Sequence, residues 1–499
     1  MAVDAIAQAG TAAERSRWLG LAVIGIAQLM VVLDLTVMNV ALPSAQRSLH
    51  FTTADRQWVV TAYTLAFGSL LLAGGRLADL IGRKATFLVG LLGFAGVSAV
   101  GGASVDFTML VVARAFQGAF AALLVPSALA LLTTTFTDPK ERSKAFGVFG
   151  AIATAGGAIG LLIGGTLTEY LSWRWTMYVN LVFAAVAFVG GLLWLTRPPV
   201  PTTPRLDIPG VALSAGGMFS LVYGFGNAAT HGWGSSSTWG FVVAGGLLLA
   251  LFALWMGRAA NPLLPPRVVL DRDRAGAYLA VLFASLCLFA TFLFLTYYLQ
   301  RTLDFTPVRT GLAFLPISAS LALAANVSTI VLMPRLGPRP LVPAGLAIGA
   351  GALAWLAQLG PQTSYAKGVL GPLVAIGLGI GMVIAPSINA GTYGVVPQDA
   401  GVASATVSVG QQLGASIGTS LLNTLFASAV ASYLVAHASL GRAATALANA
   451  HGYDTAFWWS TGIAGAGAVV TALLFRSGPL SNPRAQERFS KTQPKRNHG

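Results

Sequence analysis

Gly75-Arg76-Leu77-Ala78-Asp79-Leu80-Ile81-Gly82-Arg83-Lys84 joins two long apolar runs, roughly 57–75 and 85–105. Each run is long enough to cross a bilayer core, which takes about 20 apolar residues as a helix. Charges crowded between two such runs read as a tight turn at a membrane surface. Gly75 and Gly82 are expected to allow its close bend. Arg83 and Lys84 mark that surface as the inner one, because short inner loops carry the excess of Lys and Arg.

The composition agrees with this reading. The chain has 499 residues, 55% of them hydrophobic and 9% charged, where soluble domains carry about 25% charged residues. It is an integral membrane protein whose core is completed by lipid. The formal net charge is +14. Its basic residues collect at the ends of apolar runs, where they set topology, so no nucleic-acid partner is expected. The single cysteine, Cys287, excludes an intramolecular disulfide. The first apolar stretch is too long for a signal-peptide core and lacks a small-residue cleavage site, so no cleaved leader is expected. The bias to Arg over Lys, with much Ala and Gly, suggests a GC-rich bacterial source.

Fourteen apolar runs are expected to be transmembrane helices, near 18–43, 57–75, 85–105, 107–132, 145–168, 176–196, 209–229, 238–257, 275–299, 311–333, 340–360, 366–391, 401–430 and 456–476. Helices are the lone elements that satisfy their own backbone in lipid. Both termini are expected in the cytoplasm, since that orientation places most of the Lys and Arg of the loops inside. An internal repeat supports two halves. Pro139, Gly156 and Gly160 keep the spacing of Pro397, Gly414 and Gly418, and Leu80–Arg83 echoes Arg335–Arg339; both echoes are offset by eight spans. Two six-helix bundles with two inserted central helices produce that offset. The expected organisation is a cytoplasmic amino-terminal segment 1–17, a first bundle 18–196, a linker with inserted spans 7 and 8 over 197–257, a second bundle 258–476 and a basic tail 477–499, which is rich in Pro, Ser and charge.

Asp34 lies within span 1. A carboxylate there costs about 2.5–3.5 kcal/mol on insertion scales, so it marks a proton or ion pathway, or a helix interface. Replacing it by Asn is expected to stop coupled transport and leave folding intact. At 100° per residue Asp34 points away from Thr36 and Asn39, so one set faces the transport path and the other a neighbouring helix. Arg114 is the base within span 4, with Gln117 on the same helix face. A guanidinium keeps its proton, so Arg114 tunes a carboxyl or bonds backbone carbonyls where helices meet. In span 5, Gly156, Gly160, Gly164 and Gly165 form a stripe that lets helices approach closely. Aromatics of span 9, including Phe292 and Tyr297, either line an apolar cavity or pack in the membrane core. Tyr63, Gln117, Asn389 and Gln411 are further cavity candidates, and no second-half span is expected to hold an acid. His50 and Asp55 have acyltransferase-like spacing without a substrate pocket around them. Gly377, Gly379 and Gly381 lie inside a span and read as packing. No Walker motif, metal-ligand cluster or cofactor motif appears, so no enzyme activity, metal or cofactor is expected.

Several of these segments resemble signatures of the major facilitator superfamily. Gly75, Leu77, Ala78, Asp79, Gly82, Arg83 and Lys84 match its loop 2–3 pattern, with Leu80 where a basic residue is usual. Leu33, Asp34, Thr36, Val37, Asn39, Val40, Ala41, Leu42 and Pro43 resemble the span 1 signature of its fourteen-span drug:proton antiporter branch. Arg114, Gln117 and Gly118 resemble its span 4 motif. The glycines of span 5 resemble the antiporter motif, with Leu161 in place of its proline. Trp173, Arg174, Trp175 and Asn180 also resemble that branch. The resemblance implies a monomeric exporter in the bacterial cytoplasmic membrane, driven by the proton gradient. It would move hydrophobic or amphipathic compounds, cationic ones among them, outward, with Asp34 and Arg114 in proton coupling. Gly75, Asp79, Gly82, Arg83 and Arg142 would then form the inner gate, closed in the outward-open state. A dedicated exporter of a metabolite, antibiotic or lipid is the alternative; a non-transporting membrane sensor or scaffold is the alternative from another class.

Overall fold

The computed structural model describes residues 2–53, 55–136, 139–195, 207–259, 262–360, 362–395, 400–437 and 442–476. The expected basic tail therefore lies outside the described residues. The long elements are α1 (Ala2–Leu49), α2 (Gln57–Ile81), α3 (Arg83–Gly102), α4 (Phe107–Thr135), α5 (Pro139–Tyr170), α6 (Trp175–Trp194), α7 (Ile208–His231) and α8 (Ser236–Met256). They continue with α9 (Arg272–Arg301), α10 (Pro307–Leu336), α11 (Pro338–Leu356), α12 (Tyr365–Thr392), α13 (Ala400–Ala436) and α14 (Arg442–Leu474). Thirteen helices among the described residues are long and apolar enough to cross a membrane. The remaining expected run, 145–168, falls on α5, a helix of 32 residues. α10 is interrupted by a π-helical turn at Ser328–Leu332, just before Pro334, which has no N–H to give the preceding turn.

The helices overrun the apolar stretches that signal them, and two expectations change as a result. Gly75 is not in a turn: α2 continues through it to Ile81, helped by the good helix formers Leu77, Ala78 and Leu80. The bend is made by Gly82 alone, at φ 98°, a conformation that residues with a Cβ resist. Second-half spans are also not free of acids, since α14 begins well before residue 456 and takes in Asp454, and Asp273 lies in the first turn of α9.

Contacts repeat with the eight-span offset. In the first half α1 packs on α5 and α6, α2 on α4, and α3 on α4 and α6. In the second, α9 packs on α13 and α14, α10 on α12, and α11 on α12 and α14. The glycines explain part of the match. A Cβ on Gly156 would meet Leu29 of α1 at 2.9 Å, and one on Gly164 would meet the Val37 backbone at 2.8 Å. In the same way Gly414 and Gly418 lie against Leu282 and Leu286 of α9. Gly82 and Gly337, both at positive φ, make the matching turns. α7 packs on both α2 and α13, and so sits on the seam between the halves. α8 packs chiefly on α7, and only 11% of its most apolar stretch is buried.

Candidate functional site

Asp34 sits in a buried polar cluster inside the first bundle, with 1% of its surface exposed. One carboxylate oxygen accepts from Arg114 Nη1 at 2.5 Å. The other accepts from Asn180 Nδ2 at 2.7 Å and from Gln117 Nε2 at 3.2 Å. Gln117 also donates to Ser98 Oγ at 2.7 Å and accepts from Arg114 at 2.9 Å. Arg114 Nε donates to the Val59 carbonyl at 3.0 Å, and its guanidinium lies 4.4 Å from the Tyr63 ring centroid. Three helices, α1, α4 and α6, thus meet at one carboxylate, and α2 and α3 join the cluster through Arg114 and Gln117. Every partner of the two oxygens is a donor, and this set complements an ionised carboxylate. Removing one member of such a buried pair costs about 3–5 kcal/mol, because the other charge is left uncompensated.

The rotation of α1, left open by the sequence, is now defined. Asp34 faces α4 and α6 in the bundle interior, while Thr36 faces α5, where Gly160 leaves it room. Asn39 is nearly buried and donates to the Leu35 carbonyl. The stripe Gly156, Gly160 and Gly164 seats α5 on α1 on the side away from the acid. Gly165 instead touches Pro307 and Val308 of α10, so the stripe reaches the other half.

The halves are joined by hydrogen bonds at the end of the bundle that holds the α1–α2 turn. The Thr61 hydroxyl shares a bond of 2.8 Å with Thr419, and Thr64 one of 2.6 Å with Ser416. Gln300 donates to the Val40 carbonyl at 3.0 Å, Arg301 to Gln46 at 3.0 Å, and the Val308 amide to Glu169 at 2.9 Å. Deeper in, Gly68 admits Gln412 of α13. Arg56, 2% exposed, donates to Asn423 Oδ1 at 2.7 Å and lies near the rings of Tyr297 and Phe426. A desolvated contact of that kind contributes about 2 kcal/mol. α7 caps this seam: Thr424 donates to the Phe225 carbonyl and Gln57 to the Gly226 carbonyl.

The remaining sequence candidates do not gather into one site. Tyr63 and Gln117 belong to the Asp34 cluster, Tyr297 to the Arg56 contact, and Phe292 packs on Phe314. Asn389 is exposed, and it is Gln412, not Gln411, that is buried against the first half. The reason is helix phase, which residue type alone does not reveal. At the Gly82 turn, Lys84 donates to the Leu192 carbonyl of α6 and to that of Leu195 just after it. The side chains of Asp79 and Arg142, both expected at the inner gate, lie outside the described residues. Asp55 accepts from the Thr52 hydroxyl within its own turn and does not address His50. Gly377, Gly379 and Gly381 seat α12 on α10 and α11, as packing glycines do. Sequence reasoning missed Ser98, Thr61, Thr64, Asn423 and Arg56. For Arg56 a signal existed: it is a base on the side that the positive-inside pattern leaves poor in bases.

Comparison with known proteins agrees with this geometry. The sequence model of the family described as Major Facilitator Superfamily matches residues 24–419. A puromycin resistance protein of Streptomyces alboniger is 48% identical over 449 residues, covering 90% of this chain and 89% of that one. A cephamycin export protein of Amycolatopsis lactamdurans is 39% identical, covering 80% and 83%. The solved structure of a bacterial homologue of the human lysosomal transporter Spinster, inward-facing and unoccupied, matches with a TM-score of 0.64 at 15% identity, covering 92% of this chain and 97% of that one. At that identity the likeness concerns the fold alone.

Proposed function

This chain belongs to the major facilitator superfamily, and we propose that it is a secondary exporter that exchanges inward-moving protons for an outward-moving antibiotic or similar amphipathic compound. It works in the bacterial cytoplasmic membrane with both termini inside and needs no cofactor. The observation that carries the reading is the buried Asp34 carboxylate, held by Arg114, Asn180 and Gln117 among five helices. With the termini inside, the joined end of the bundle faces outward, so this form is sealed on its outer side. A carboxylate surrounded by donors alone suits a form that has already given its proton to the cytoplasm. When the path opens outward, a proton on Asp34 removes the negative charge that Arg114 and the amides complement. α1 is then freed to shift against α4 and α6, and the halves rock back. Arg114 keeps its proton throughout and resets the ionised form. The gradient supplies the drive; its voltage part is worth about 2.3 kcal/mol per charge per 100 mV.

The two relatives are each named for one antibiotic. That favours a narrow substrate range over broad multidrug export, with puromycin the first compound to try. The test is uptake into inside-out vesicles under an imposed pH gradient, over a panel headed by puromycin. Uptake that collapses with a protonophore supports the exporter. Absence of gradient-dependent movement of every compound, with the protein present and folded, rejects it in favour of a scaffold or sensor.

A further inference from the structure

We infer that Phe294, Tyr297 and Phe426 form a cation-binding cage of the second half, filled in this form by Arg56 of the first, and that once the outer end opens the cage takes the cationic head of an organic ammonium or guanidinium compound. The direction of travel rests on the exporter reading above; the cage itself does not.

The Arg56 guanidinium carbon lies 4.2 Å from the Tyr297 ring centroid, 4.6 Å from Phe426 and 5.6 Å from Phe294. Asn423 adds one amide oxygen at 2.7 Å, and Tyr453 of α14 packs behind Phe426 at 5.1 Å between centroids. Among the described residues Arg56 has no ion pair: ring faces and an amide hold a buried cation where a carboxylate is usual. Burial pulls its guanidinium down from the ordinary value, with Tyr297 opposing the change, yet an arginine retains its proton.

Occupant and receptor belong to different bodies. Arg56 stands at the start of α2, Phe294 and Tyr297 are on α9, and Asn423 and Phe426 on α13. Parting of the halves at this end withdraws Arg56 and leaves three ring faces and an amide oxygen toward the outer mouth. Such cages recognise quaternary ammonium and guanidinium groups through the negative faces of the rings. Arg301, 5.1 Å over the same Tyr297 ring, repels a second cation and keeps the site weak, as a release site requires. On closure Arg56 returns as a tethered competitor at high effective concentration and empties the cage.

The test uses the purified full-length protein, with ethylguanidinium and tetramethylammonium as probes and neutral ethylurea as control, read by titration calorimetry. Arg56→Ala is expected to bind both cations at least tenfold more tightly than wild type, and adding Tyr297→Ala is expected to abolish the gain. Arg56→Gln is titrated alongside, so that either variant recovered folded decides the matter. Binding no tighter than wild type, or equal binding of ethylurea, overturns the cage. These titrations need neither gradient nor transport. Cation binding by the variant without gradient-driven flux in wild type would remove the exporter reading and keep the cage; flux without the binding gain would do the reverse.

Discussion

Asp34→Asn is expected to destabilise the protein by about 3–5 kcal/mol, because it strands the Arg114 guanidinium in a site where both partners are at most 1% exposed. A Coulomb estimate agrees: two charges centred about 4 Å apart at an effective dielectric constant of 20 attract by about 4 kcal/mol. The lower end of the range is favoured, since the Asn oxygen still accepts one bond from Arg114. The earlier expectation that the amide leaves folding intact therefore gives way to a stability cost. A double-mutant cycle isolates the pair. Asp34→Asn and Arg114→Gln should each be costly, and the double variant should cost well below their sum, with a coupling of about 2–3 kcal/mol, the upper range for contacting residues. The assay is reversible unfolding in mixed micelles at pH 7. An Asp34→Asn variant within about 1 kcal/mol of wild type, the size of an ordinary point mutation, would refute the reasoning. It would mean that Asp34 already carries its proton in this form.

Other outcomes follow from the packing. Gly164→Leu, whose Cβ would meet the Val37 backbone at 2.8 Å, should cost about 1–3 kcal/mol and lower the yield of folded protein; recovery at wild-type yield and melting temperature would contradict the α1–α5 seat. Gly82→Ala, at φ 98°, should cost about 1–3 kcal/mol of strain, and an unchanged melting temperature would argue for a different turn. Thr64→Val removes the bond to Ser416 and should weaken the outer seal, so that cysteine pairs across α2 and α13 cross-link less; equal cross-linking would remove the hydroxyl seam from the gate.

Much of the fold was legible in the sequence because lipid imposes long apolar runs, and the runs at 85–105 and 238–257 lie close to α3 and α8. The ends were less legible, since helices persist beyond the apolar runs where residues such as Leu77, Ala78 and Leu80 favour them. Asp34 and Arg114 stood out as charges in apolar surroundings. Their meeting at 2.5 Å did not, because helix rotation and the choice of neighbour depend on tertiary packing. Ser98 and Asn180 are ordinary polar residues whose role exists only through Asp34 and Gln117. The partners of Arg56 were not legible, because its cage is assembled from α9 and α13, more than 200 residues away.

The central claim is that Asp34 exchanges its proton as substrate is handled. The most direct measurement is proton release on adding puromycin, or whichever panel compound proves to be moved, to purified protein first brought to acid pH so that Asp34 starts protonated, in weakly buffered detergent with a pH indicator. Wild type is expected to release protons on binding, and Asp34→Asn to bind the compound with no release. Equal release from the folded Asp34→Asn variant would contradict the account and place the proton carrier elsewhere.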